Sequence, residues 1–413
     1  MKDYSGISRT VQITLLVLAG ESIFILPFVL PRIFRPTYLS SLDINNTEIG
    51  TCFSVYGTVA LISYLFGGTL ADKFSERKLM GTALILTSLG GFYIYTTPNY
   101  TGLLFLYGYW GFTSIFMFWA AMLKATAIWG GNNSQGKAFG ILDGGRGLVG
   151  ASFGLLGVLV FSMLIPEESA EDPEVLLHAF KRVLIISSII VLGVGMLVLV
   201  LMKDSKEGVS QNISIKDVLS VLEYKFLWWI MIIIFCGYLG YKSTDFLPQY
   251  ANEILGYNEE EAAQLGTVLL YLRPLTGISI GFIADKKGVS NLLLLSFTGT
   301  LIGAVTIPLS ELLSMSILFI ASIGLFGAGV YAIRAIYFAA LREGKIPYHL
   351  MGTAIGIVSI IGYLPDVFYG PYTGHLLDNY PINYGFQMIF ATVSFFALIG
   401  IIASFRLKKL IND

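Results

Sequence analysis

The sequence predicts an all-α membrane protein of about twelve spanning helices arranged as two similar halves. Three observations carry that prediction. Of 413 residues, 55% are hydrophobic and only 13% charged, with a mean hydropathy of +0.73. Soluble domains are about 25% charged, so lipid solvates most of this surface. Apolar runs of about 20 residues, the length that crosses a bilayer, recur along the whole chain. A polar motif recurs as well. Gly68-Thr69-Leu70-Ala71-Asp72-Lys73-Phe74-Ser75-Glu76-Arg77-Lys78 has a weaker copy at Gly281-Phe282-Ile283-Ala284-Asp285-Lys286-Lys287-Gly288, close to half the chain away. Both read as glycine, three residues, aspartate, then cations, between two apolar segments. A repeat on that scale points to a two-fold organisation.

The first copy resembles the signature loop between helices 2 and 3 of the major facilitator superfamily. The second resembles its echo between helices 8 and 9. The first departs only at Ser75, where the family usually has glycine, which weakens the expected tight turn. The second keeps Gly281, Asp285, Lys286 and Gly288 but lacks the final basic pair. The resemblance implies two pseudo-symmetric six-helix bundles and secondary transport by alternating access. It also implies a gating role for the loop residues. Asp72 is expected at the cytoplasmic end of helix 11, with Arg77 and Lys78 at the membrane surface and Asp285 as the counterpart in the second half.

Taken in order, the spans fall at roughly 11–31, 48–70, 79–96, 101–128, 136–165, 178–202, 224–247, 258–283, 290–310, 313–341, 351–374 and 383–405. The segment 203–223 divides them into an N-terminal bundle, 1–202, and a C-terminal bundle, 224–413. Within it Ser214 and Asp217 open a short helix whose Ile215, Val218, Leu219 and Leu222 recur at helical spacing. An amphipathic helix on the cytoplasmic face is expected there. Charge placement tests the map. With the N-terminus inside, seventeen Lys and Arg fall on the cytoplasmic side, four outside and five within spans. That bias puts both termini in the cytoplasm.

Composition excludes several classes. A net charge of −1 gives no reason to expect nucleic acid. Cys52 and Cys236 lie in apolar runs, and no disulfide framework, metal spacing or cofactor is indicated. The polar N-terminus lacks a cleavage site after the first apolar run, so that run reads as a retained helix. His178, His349 and His375 sit near span ends, away from any triad. Asn-x-Thr sites such as Asn45 and Asn99 matter only in a eukaryotic secretory pathway. No nucleophile or nucleotide loop argues for an enzyme.

Ionisable residues inside spans are costly and face a cavity or a partner. Here they are Lys124, Arg146, Lys242, Arg273 and Arg334 with Glu21, Asp143, Asp245 and Asp366. Lys124 and Arg334 stand at nearly the same distance beyond Asp72 and Asp285, on spans 4 and 10. Equivalent positions of two facing halves meet at the centre of such folds. Two cations there attract an anion, and Arg grips carboxylate or phosphate bidentately. The alternative for Lys124 is support of the signature loop. Asp143 and Arg146 share a face of span 5 and are expected either to pair or to form a gate. The glycines at 140, 144, 147, 150, 154 and 157 make a small-residue stripe. Lys242 and Asp245 share a face of span 7. Arg273, before Pro274, lacks an acidic neighbour at helical spacing. Tyr331 and Tyr337 flank Arg334 on one face.

Two transport readings result. The preferred one is a small-anion carrier of the inner membrane, acting as a monomer and coupled to protons. Arg334, Lys124, Arg273, Tyr331, Tyr337 and Lys242 bind substrate in that reading, and Glu21, Asp366 or Asp143 carries the proton. The stretch from Trp129 to Gly150 resembles the helix 4–5 region of organic-anion and organophosphate carriers of the superfamily. The alternative is a proton-coupled exporter of drugs or amphipathic compounds. It is weakened because span 5 lacks the proline-centred motif of drug/proton antiporters. A receptor that binds without transport is the reading from another class.

Overall fold

The computed structural model describes residues 6–130, 135–166, 172–203, 222–313, 315–343 and 351–412. The expected linker helix and the side chains of Asp72 and Asp285 lie outside that description. Among the described residues, helices follow one another as twelve rods: α1 (6–33), α2 (Asn46–Lys73), α3 (Glu76–Ile94), α4 (100–130), α5 (Gln135–Ser162), α6 (Pro173–Leu201), α7 (225–253), α8 (Glu259–Lys287), α9 (Val289–Leu312), α10 (316–343), α11 (351–379) and α12 (Ile382–Asn412). A short helix, Arg35–Leu42, joins α1 to α2. Among the described residues, eight helices are long and apolar enough to cross a membrane.

Local chemistry sets the helix starts. The Asn45 side chain accepts from the Glu48 amide at 2.8 Å while Glu48 reaches back to the Asn45 amide at 3.0 Å. Asn258 and Glu261 repeat that capping box ahead of α8. Asn99 caps α4 through the Gly102 amide. Asn45 and Asn99, noticed as sequons, thus serve the backbone. Ser75 does the same in the signature loop, where its hydroxyl accepts from the Lys78 amide and starts α3. Its φ is −63°, so the turn needs no glycine, and a cap replaces the tight turn expected there.

The chain divides into two compact units, residues 1–210 with 257–271, and 211–256 with 272–413. In the first, α3 packs on α6, α2 on α4 and α1 on α5. In the second, α9 packs on α12 and α7 on α11. The α3–α6 and α1–α5 pairs therefore recur six helices later, as the internal repeat requires. Each unit has its own apolar core. Large apolar side chains also point outward, with Met163 83%, Ile317 82% and Phe105 78% exposed. Such exposure is stable only where lipid is the solvent.

Five rods change pitch along their length, α10 among them at a 3-10 turn over Tyr337–Ala339. α1 turns π-helical at Ile25–Val29 and α4 at Phe112–Trp119. α7 passes through a 3-10 turn at Thr244–Phe246 before Pro248. α11 breaks at Tyr363 and Leu364, between Gly362 and Pro365. Such irregularities free or re-aim backbone groups and cluster at functional sites. All five lie beside the buried charges described next.

Candidate functional site

Three helices of the second unit gather its polar residues. α7 brings Tyr238, Tyr241, Lys242 and Asp245, α10 brings Arg334 and Tyr337, and α11 brings Tyr363 and Asp366. Lys242 Nζ lies 3.6 Å from Asp245 Oδ2 and 3.4 Å from Asp366 Oδ1. Helical spacing foretells the first contact. The second exists only because α11 packs on α7. Asp366 sits in the first turn of the segment that restarts after the α11 break. The exposed amides of a helix start favour negative charge there. The Tyr238 hydroxyl donates to Asp366 Oδ2 at 2.8 Å.

Arg334 lies over an aromatic face. Its Cζ is 3.7 Å from the centre of the Tyr241 ring, a contact worth about 0.5–2 kcal/mol. Tyr238, Tyr337 and Tyr363 are also within electrostatic reach of the guanidinium. Tyr241 packs against Tyr238 and Tyr331, and Tyr238 meets Tyr363 edge-on at 4.7 Å. The Tyr337 and Tyr363 hydroxyls are 3.3 Å apart. Arg334 Nη1 is buried and has no hydrogen-bond partner, and Arg334 forms no ion pair among the described residues. Lys242, by contrast, serves two carboxylates. Arg273 is buried on α8 beside Pro274.

The first unit holds a separate buried pair. Arg146 Nε stands 3.3 Å from Glu21 Oε2 and donates to the Gly20 carbonyl at 3.0 Å. Its guanidinium also lies over the rings of Phe24 and Trp119. Asp143, expected to pair with Arg146 or to form a gate with it, lies three residues earlier on α5. The two residues stand about 60° apart on the helix wheel; Arg146 turns onto the α1 face and Asp143 is exposed. Glycine makes the approach possible. A Cβ at Gly150 would stand 2.9 Å from Glu21 Oε1. Of the anticipated stripe, Gly154 and Gly157 also meet neighbouring helices, whereas Gly140 faces open space.

Lys124 is committed to the signature loop. Its Nζ lies 3.2 Å from Glu76 Oε1 and donates to the Ala71 carbonyl at 2.8 Å. These are the contacts that the loop-support alternative for Lys124 expects. Glu76 is buried, and nothing in the sequence singled it out. Arg77 is half-buried and Lys78 exposed. No His, Cys, Asp and Glu grouping able to hold a metal occurs among the described residues.

A sequence profile of the Major Facilitator Superfamily matches residues 13–370. The chain belongs to this superfamily. A relative in Escherichia coli, inner membrane protein YqcE, is 30% identical over 391 residues, covering 92% of this chain and 90% of its own. The glycerol-3-phosphate transporter of Bacillus subtilis is 20% identical over 390 residues, covering 87% and 84%. The crystal structure of a bacterial homologue of the human lysosomal transporter Spinster matches 98% of both chains, with a TM-score of 0.75 at 13% identity. That last likeness speaks to the fold alone. As a superfamily member the protein is a multi-pass inner-membrane transporter of a small molecule, with no enzymatic role.

Proposed function

We propose that the protein moves a small anion across the inner membrane by alternating access, coupled to protons, with Arg334 as the principal anion ligand. One observation carries the reading: a buried guanidinium nitrogen with no hydrogen-bond partner, on a residue that forms no ion pair among the described residues. A charge left unpaired in a membrane span costs several kcal/mol, and an anion reaching Arg334 during transport offsets that cost. The likeness to the Bacillus subtilis glycerol-3-phosphate transporter is compatible with an anionic solute. Tyr331 and Tyr337 line the arginine, while Lys242 and Arg273 contribute field rather than primary contact. A six-plus-six division at 203–223, both termini in the cytoplasm and a monomeric state belong to the same proposal.

Proton coupling is proposed at Asp366 first. Asp366 and Asp245 share one lysine, so the triad carries one carboxylate beyond neutrality. Glu21, matched by Arg146, ranks second, and Asp143, being exposed, third. Thermal unfolding of the purified protein with carboxylates, phosphate, nitrate and cationic drugs tests the reading, because binding to the folded state stabilises it by mass action. A shift with an anion that disappears in Arg334→Ala is the expected result. A shift only with cationic or apolar compounds, kept in that variant, overturns it in favour of an exporter.

A further inference from the structure

We infer that the anion is a hydroxylated organic one, with a single carboxylate or phosphate-ester group and at least one hydroxyl placed to donate to Asp366; this rests on the anion reading above. Two of the cluster's buried polar atoms without hydrogen-bond partners carry the inference. One is a donor, Arg334 Nη1, and the other an acceptor, Asp366 Oδ1. Asp366 Oδ1 is close to Lys242 Nζ at 3.4 Å but not in hydrogen-bond geometry. Tyr238 joins the two positions, since its hydroxyl donates to Asp366 while its ring packs on Tyr241 beneath Arg334. Buried polar atoms left unsatisfied are costly. A ligand that relieves both must present an anionic acceptor and a hydroxyl donor. Nitrate, chloride and acetate supply only the first, and a neutral sugar only the second.

Charge limits the ligand to one anionic group. Among the described residues Arg334 forms no ion pair, whereas Lys242 is held by Asp245 and Asp366. A second ligand carboxylate would meet those aspartates rather than another cation. The surrounding phenols suit a polyol backbone. Their hydroxyls both donate and accept, and their rings give an apolar wall with polar tips. The long Tyr337–Tyr363 contact at 3.3 Å is weak enough for a ligand hydroxyl to replace.

The test is thermal unfolding of the full-length protein at constant ionic strength and pH. The probes are gluconate, glycerate and glucose 6-phosphate against acetate, nitrate, inorganic phosphate, succinate and glucose. Gluconate, glycerate or glucose 6-phosphate is expected to half-saturate at a concentration roughly tenfold or more below acetate and inorganic phosphate, as a hydrogen bond to a charged group implies. Tyr363→Phe, a mild change, should lower affinity for the hydroxylated probe while leaving acetate unchanged, and Asp366→Asn should narrow the same ratio. Equal response to bare and hydroxylated anions, both lost in Arg334→Ala, overturns this inference and leaves the anion reading intact. Tightest binding by succinate also overturns it. No Arg334-dependent response to any anion defeats the anion reading itself.

Discussion

Arg334 and Arg146 are both buried guanidiniums over aromatic rings, yet their surroundings assign them different work. Arg146 has a carboxylate at 3.3 Å and a carbonyl at 3.0 Å, so its charge is matched within the first unit. Arg334 has a tyrosine face and an unsatisfied nitrogen. Glu21→Ala removes the carboxylate that faces buried Arg146 and should destabilise the protein by about 3–5 kcal/mol, read as a lowered unfolding midpoint in detergent. Replacing both partners, Glu21→Met with Arg146→Met, should recover most of that loss. If the double variant is as unstable as the single one, the pair is not the relevant interaction. At Arg334, lysine should not rescue anion binding, because an ammonium lacks the planar fork that stacks and grips together. Full ligand-dependent stabilisation in Arg334→Lys would contradict a bidentate role.

Helix pairs respond to changes in what lets them approach. Gly362 lets α11 lie against α7, and a Cβ there would stand 2.2 Å from Ile234 Cγ2. That contact also carries Asp366 to Lys242 and Tyr238. Gly362→Ala should therefore cost about 1–3 kcal/mol and weaken ligand affinity, and Ile234→Ala in the same chain should restore part of both. Unchanged stability and affinity in Gly362→Ala would mean the helices do not pack so closely. The start of α3 gives a milder case. Ser75→Ala removes a cap and should cost about 0.5–2 kcal/mol, while Ser75→Gly, the family's usual residue, should cost only a few tenths. Equal losses would imply that the hydroxyl does not cap.

Transport needs the membrane arrangement and the rocking of a two-state molecule. Lys124→Met should disturb the signature loop and lower stability or transport rate, yet keep the anion-dependent thermal shift that Arg334→Ala abolishes. Loss of that shift in Lys124→Met would return Lys124 to the substrate site. Orientation has its own readout. A cysteine placed at the C-terminal Asp413, with Cys52 and Cys236 removed, should react with a membrane-impermeant reagent only after the cells are opened. Labelling of intact cells would reverse the proposed topology.

The number of rods, their order and the internal repeat were all legible in the sequence, because lipid demands long apolar helices and the signature motif marks equivalent turns in each half. Candidate charges were legible as well, since any ionisable residue in such a run stands out. Partnership among them was not. Lys242 with Asp245 follows from spacing on one helix, but Glu21 with Arg146, Lys124 with Glu76, and Asp366 with Lys242 join positions far apart in the chain. Helical periodicity says which residues share a face and nothing about which helix that face meets. Only packing, permitted at Gly150 and Gly362, decided which cations are spent on structure and left Arg334 with an unsatisfied nitrogen.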